Sequence, residues 1–117
     1  NKIFEKPKKN QEAFDMLSTL SGNTHKVLTG INILYLKGDV DFTFAEETLV
    51  TFNQLDPIEI SYYIEKYKPF DKAGSYGIQD FSSIFVNSIE GCYFNVVGLP
   101  LSALFYHLKK FKLVQFP

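Results

Sequence analysis

The residues best suited to chemistry are gathered in Phe70-Asp71-Lys72-Ala73-Gly74-Ser75-Tyr76-Gly77-Ile78-Gln79, where a carboxylate, a lysine, a phenol and an amide stand close to two glycines. Glycine lets a backbone approach a ligand closely, and successive exposed N–H groups can hold an anion. Lys72 can neutralise phosphate. The Gln79 amide offers a donor and an acceptor side by side, as reading the edge of a nucleobase requires. The same residues also make a solvated surface turn with an Asp71–Lys72 charge pair, and a lone Gly-x-x-Gly spacing is weak evidence. Taken alone, the stretch leans slightly towards the turn.

Other reactive side chains carry less. His25 and His107 each stand alone, and a solitary histidine is more often structural than catalytic or metal-bound. Glu46 and Glu47 are neighbours on an expected strand, so their carboxylates point to opposite faces and read as solvated. Ser75, Ser82 and Ser83 lack the Gly-x-Ser-x-Gly frame of a nucleophilic serine. All 12 cationic side chains are lysine, which removes the side chain best shaped to grip phosphate bidentately. A net charge of −1 excludes a broad electrostatic footprint for nucleic acid or anionic membrane. The aromatics, 12 Phe and 7 Tyr, are interleaved with apolar residues without a basic stripe. They read as core rather than as a base-stacking platform. Cys92 is the single cysteine, so no intrachain disulfide can form and cytoplasm is the expected compartment. No apolar run reaches membrane-spanning length.

The elements that must position these residues follow from periodicity. A helix is expected over 10–21, with Asn10 as cap, an apolar face of Ala13, Phe14, Leu17 and Leu20, and a left-handed stop at Gly22. A strand from about Thr24 to Leu36 shows little alternation, which suits cover on both faces. Lys37-Gly38-Asp39 turns into a second strand over 40–53, making a long hairpin with a bend or bulge near Glu46. Asp56-Pro57-Ile58-Glu59 opens a second helix with a capping box and ends before Pro69. Residues 68–83 read as a loop, followed by a short strand at 84–89 and a turn at Glu90-Gly91. A last helix starts at Pro100 and is expected to bury Leu101, Leu104, Phe105, Leu108 and Phe111. A length of 117 residues suits one domain with a moderate core.

Four stretches then match one family in order and spacing. The string Asp71-Lys72-Ala73-Gly74-Ser75-Tyr76-Gly77-Ile78-Gln79 closely resembles the signature of the Maf family. Leu20-Ser21-Gly22-Asn23-Thr24-His25-Lys26-Val27-Leu28-Thr29-Gly30 resembles its Leu-Ser-Gly-x-Thr-His segment, and Glu47-Thr48-Leu49-Val50-Thr51-Phe52 its Glu-Thr-x-Val-x-Phe strand. Ile89-Glu90-Gly91-Cys92-Tyr93-Phe94-Asn95-Val96-Val97-Gly98-Leu99-Pro100-Leu101 is similar to its closing segment, with Cys92 where Ser or Asp is more usual. Ile3-Phe4-Glu5-Lys6-Pro7 is similar to Ile-Leu-Gly-Lys-Pro, with Glu5 in place of Gly. After Gln79 the family has small residues where this chain has Asp80-Phe81-Ser82-Ser83.

The resemblance implies a mixed α/β sheet with flanking helices of the ITPase-like kind, of which 1–117 would be the C-terminal portion as a single domain. It implies hydrolysis of a nucleoside triphosphate, of the dTTP or UTP type, to monophosphate and pyrophosphate with Mg²⁺ or Mn²⁺. Lys6 and Lys72 would contact phosphate, Gln79 would select the base, and Asp71 and Tyr76 would stand near the pocket. The partner is then a nucleotide, with neither nucleic acid nor membrane, and the chain would pair as a homodimer. The family's Ser-x-Ser-x-Arg-Arg loop and the Ala-Asp-Thr strand with its proposed base precede the segment matching Lys6. Neither stands in this sequence, so no catalytic residue is expected within it and the isolated chain is expected to be inactive. It would also expose apolar surface around Phe42, Phe44, Phe52, Tyr62, Tyr63 and Phe85. The alternatives are a non-catalytic nucleotide-binding or septum-formation module, and an inactive remnant of a split gene.

Overall fold

The computed structural model describes residues 4–116, so Ile3 of the Ile3–Pro7 match lies outside the described residues. Four helices, α1 (Asn10–Leu20), α2 (Pro57–Tyr67), α3 (Tyr93–Val97) and α4 (Leu101–Lys110), accompany three strands, β1 (Thr24–Tyr35), β2 (Val40–Phe52) and β3 (Val86–Glu90). The strands form one antiparallel sheet in the order β1-β2-β3, a mixed α/β arrangement with flanking helices. The chain divides into two compact units. The first comprises Asn1–His25 and Leu49–Ile89, the second Lys26–Thr48 and Glu90–Pro117.

The first unit holds most of the buried apolar residues. Ala13, Leu17 and Leu20 recur at helical spacing on α1 and meet α2, which buries Ile60, Tyr63 and Ile64. Val50, Phe52, Leu55, Ile78 and Phe85 complete this core. Phe85 is held edge-on to Tyr63, with ring centroids 5.4 Å apart, a geometry that aromatic quadrupoles favour. Asn10 does not cap α1. Lys9 occupies the cap position in extended conformation, and the Lys8 N–H instead donates to Glu12 Oε1 at 3.0 Å. A carboxylate in the first turn satisfies an orphan donor and also complements the helix dipole. At the other end Gly22 adopts φ +68°, and its N–H donates to Asn53 O at 2.9 Å. The expected left-handed stop therefore also ties α1 to the end of β2. Helix α2 opens with the Asp56 N–H donating to Glu59 Oε1 at 2.9 Å and closes on Lys68 in the left-handed region.

Both long strands differ from expectation in their cover. Along β1 exposure alternates, with His25, Val27, Thr29, Ile31 and Ile33 covered and Leu28 and Leu34 67% and 60% exposed. The apolar residues on both faces of β1 thus do not mean that both are covered. In β2 the strand runs unbroken through Glu46, and alternate residues keep one phase from Val40 to Phe52. The expected bend or bulge would shift that phase, and no shift occurs.

The second unit is sparsely filled. Ile33 is the one large aliphatic residue buried there among those described. Helix α4 buries none of its residues completely. Leu101 and Phe105, expected in a core, are 47% and 38% exposed, while Leu104, Leu108 and Phe111 are partly covered. His107 packs on Phe42 and Phe44, with centroids 4.8 and 4.4 Å apart. Asn95 on α3 is fully buried, and its Nδ2 donates to Val27 O, Glu46 O and Thr48 Oγ1, each at 3.1 Å. Thr48 in turn donates to Cys92 O at 3.0 Å. Here a buried polar network holds strands and helix where apolar packing is thin. Of the aromatics expected at an open surface, Phe52, Tyr63 and Phe85 are buried. Phe42 and Phe44 are partly covered, and Tyr62 is 47% exposed.

Candidate functional site

Every candidate residue lies in the first unit. Of residues 68–83, expected as a loop, Ala73–Ser75 form one short 3-10 segment, and a second, Phe81–Phe85, runs past the loop into the expected 84–89 strand, which is found at Val86–Glu90. Left-handed backbone closes the first, and the Asp80 side chain, accepting from the Ser82 N–H, caps the second. Gly74 and Ser75 both have positive φ, +74° and +70°, a conformation that L-residues enter at a cost unless the surroundings impose it. Ser75 is fully buried, with its Oγ 3.3 Å from Met16 Sδ on α1. The Gly74 N–H donates to Glu5 O at 3.2 Å, so the stretch leading into Lys6 is anchored on the loop.

Lys6 follows Glu5 directly, so the anchor ties its backbone to the loop that carries Asp71 and Lys72. The Asp71 carboxyl is held below the usual carboxylate range by its hydrogen bond from Lys72, then by a backbone N–H and the Lys72 charge, and more weakly by the Lys6 cation. Lys72 Nζ stands 3.2 Å from Asp71 Oδ1, with the Asp71 side chain 76% exposed, so the pair is a solvated one of small energetic weight. The stem of Lys72 runs over Gly77. A Cβ on Gly77 would stand 2.6 Å from Lys72 Cε, so a side chain there would displace the lysine stem.

Gln79 projects outward between two buried anchors, Ile78 before it and Ser82 after it. The Asp80 carboxylate is engaged by its own neighbours and by α2. Its Oδ1 accepts from the Ser82 N–H at 2.8 Å and from Ser82 Oγ, and its Oδ2 accepts from the buried Tyr63 hydroxyl at 2.9 Å. The Ser82 hydroxyl accepts from the Gly77 N–H at 3.1 Å, and its one proton is shared between Asp80 Oδ1 and Gly77 O, the latter 2.7 Å away. Burial, above all, pushes the Tyr63 phenol far above its ordinary range, so its proton stays available to the carboxylate.

Tyr76 faces inward. Its hydroxyl lies 2.7 Å from His25 Nε2, and the two rings stand edge-on to one another and to Phe52 at centroid distances of 4.9–5.5 Å. Burial lowers the His25 pKa and raises that of Tyr76. His25 Nδ1 is buried without a hydrogen-bond partner, and an imidazolium there would carry a second N–H with no acceptor. The ring is therefore neutral, and its linkage to Tyr76 joins β1 to the loop across 51 positions of sequence. Spacing could not have revealed this contact. The Asp80–Ser82 contact was more legible, since an Asp two residues before a Ser N–H is a common local cap.

The carboxylates of this region do not fit a divalent-metal cage. Asp71 is engaged by Lys72 and Asp80 by Tyr63 and Ser82. Among the described residues no three His, Cys, Asp or Glu side chains converge as ligands, whereas a hard cation needs several oxygens. A cleft lined by Asn10, Gln11, Phe14, Ser61, Ile64 and Glu65 lies on α1 and α2 and contains none of the candidate residues. Among the described residues no helix is long and apolar enough to cross a membrane.

Comparison with known proteins adds the remaining observation. The family model described as Maf-like protein matches residues 2–111. The chain is 49% identical over 110 residues to the dTTP/UTP pyrophosphatase of Clostridium perfringens (strain SM101 / Type A), covering 94% of this chain and 57% of that protein. It is 48% identical over 109 residues to the enzyme of the same name from Carboxydothermus hydrogenoformans, covering 93% of this chain and 59% of that one. For that of Thermosipho africanus the identity is 53% over 100 residues, with 86% and 51% covered. The chain thus spans between half and three-fifths of the length of these curated relatives. With the family match running through both units and every loop residue discussed above, the chain belongs to the Maf-like protein family.

Proposed function

We propose that these residues form the base-reading and part of the phosphate-neutralising portion of a nucleoside triphosphate pyrophosphatase acting on dTTP- or UTP-type nucleotides. The reaction is hydrolysis between the α and β phosphates, giving the monophosphate and pyrophosphate. The observation that supports this reading most is the loop itself, which holds Lys72 beside Asp71, is tied through the Gly74 N–H to the residue before Lys6, and leaves Gln79 exposed. Two cations from separate stretches are what a polyphosphate needs when arginine is absent. The Gln79 amide is free to meet a base edge, and Tyr76 shapes the loop from beneath. Relatives named dTTP/UTP pyrophosphatase, at 48–53% identity, support the same substrate class. The reading carries with it an ITPase-like fold and a divalent cation, Mg²⁺ or Mn²⁺. The described residues do not assemble a site for that cation, and no step here is routed through it.

The test is substitution of Gln79 in the whole protein that contains these residues. Gln79→Ala should compress the ratio of kcat/KM between dTTP and a purine nucleotide by roughly tenfold or more, because an amide–base pair discriminates at about 1–3 kcal/mol. It should change kcat for the remaining turnover far less, since an amide at the base breaks no bond. An equal fall for all nucleotides would remove Gln79 from base selection.

A further inference from the structure

We infer that Asp80 is a positioning residue: with Ser82 and Tyr63 it latches residues 77–82 into a closed loop that presents Gln79. The inference rests on the base-reading role proposed above for what Gln79 meets, but the latch itself rests on geometry alone. Polar contacts from residues 77–83 and from Tyr63 on α2 close the loop. The Asp80 N–H donates to Gly77 O at 3.1 Å and the Ser83 N–H to Asp80 O at 3.0 Å. The Ser82 hydroxyl spans back to Gly77 at 2.7 Å, and Ser82 N and Tyr63 Oη reach the two Asp80 oxygens at 2.8 and 2.9 Å.

Burial explains why the carboxylate is needed. Tyr63 and Ser82 are both 0% exposed, so the Tyr63 hydroxyl and the Ser82 N–H require acceptors inside the protein, and a buried orphan donor is costly. A carboxylate is acceptor-only and can serve both at once through its two oxygens. A small residue at position 80 would leave Tyr63 Oη and Ser82 N without an acceptor. With Ile78 buried on one side and Ser82 on the other, the backbone at Gln79 has no freedom to turn its side chain inward. The amide is held out before any nucleotide arrives, and preorganisation of this kind converts directly into selectivity.

Amide hydrogen exchange by NMR on the full 117-residue chain tests the latch. Asp80→Gly should reduce protection of the Ser82 and Gly77 amides by about tenfold, the weight of a lost charge-assisted hydrogen bond, while Ala13 and Leu17 on α1 keep theirs. Tyr63→Phe, which removes one hydroxyl and keeps the ring, should loosen the same amides by a smaller factor and serves if the glycine variant fails to fold. Asp80→Asn, which retains one acceptor, should recover part of the protection. Unchanged exchange at Ser82 and Gly77 in Asp80→Gly, or in Tyr63→Phe should the glycine variant not fold, would overturn the latch. So would a loss spread evenly over α1. Titration of the unsubstituted chain with dTTP and with dATP, reading the Gln79 side-chain amide, is a separate arm. Equal responses there would overturn the base-reading role and leave the exchange result standing.

Discussion

At the scale of single residues, the His25–Tyr76 contact makes stability depend on pH. Burial depresses the folded-state pKa of His25 below its ordinary value of about 6.5. The unfolded chain then binds more protons than the folded one between those two values, so stability rises with pH through that window. The contribution is fully present above about pH 6.5 and is lost as pH falls towards the folded pKa. Urea midpoints measured from pH 7.5 down to 5.5 should therefore fall more steeply in the unsubstituted chain than in His25→Gln, and parallel slopes would remove His25 as the cause. Gly77 offers a second test. Its Cβ position is contested only by the flexible end of Lys72, and its φ does not demand glycine. Gly77→Ala should thus displace the lysine at little cost to thermal stability, while weakening pyrophosphate binding measured by calorimetry. Lys72, Asp71 and Gln79 could be named from their chemistry and family resemblance. Lys6 could be named from the resemblance too, but that its stretch is tied to this loop needed the Gly74–Glu5 hydrogen bond, which no sequence pattern encodes.

At the scale of elements, helix α2 was legible in full because Asp56, Pro57 and Glu59 are local signals that act on their own helix. Helix α1 was legible in extent and misread at its cap, since Asn10 and Lys9 compete for one position and Glu12 decides it. Helix α3 was missed. Five residues between Gly91 and Gly98 make too few turns for periodicity to register, and what stabilises them is the buried Asn95 amide. Strand β1 failed for a different reason: an apolar run states what could be covered, and cover is supplied by other segments. The expected core of α4 failed likewise at Leu101 and Phe105. The core between α1 and α2 gives the element-scale prediction. Leu17 is 0% exposed, and Leu17→Ala should destabilise by about 2–5 kcal/mol in denaturant unfolding, with the spread set by how far the site can relax. A change under half a kcal/mol or so would mean that this interface is not packed as described.

At the scale of the whole molecule, apolar side chains are distributed unevenly. The exposed set includes Leu28, Leu34, Leu36, Leu101, Phe105 and Phe116, with exposures from 38% to 84%, and all of these belong to the second unit. Single exposed leucines are ordinary, but several within one unit invite association. The 117-residue chain should show concentration-dependent light scattering and bind a hydrophobic dye. The double change Leu28→Ser with Leu34→Ser, on the open face of β1, should reduce both. A dye-silent monomer at high concentration would remove that expectation. The residues to inspect are not those that aromatic content alone suggested, because Phe52, Tyr63 and Phe85 are spent in the first unit's core.

The tight turn between β1 and β2 bears on how the chain responds to cleavage. Lys37 is exposed there, beside Leu36 at 84% exposure and Asp39 with φ +55°, a conspicuous target for trypsin. Each compact unit is assembled from two separated stretches of chain, so one backbone cut cannot free either as a complete piece. A nick after Lys37 should yield fragments that separate on a denaturing gel yet elute together from a sizing column, held by the ladder between the strands on either side of the cut. Genetic splitting at the same point, with the halves expressed from two messages, should likewise reconstitute the fold.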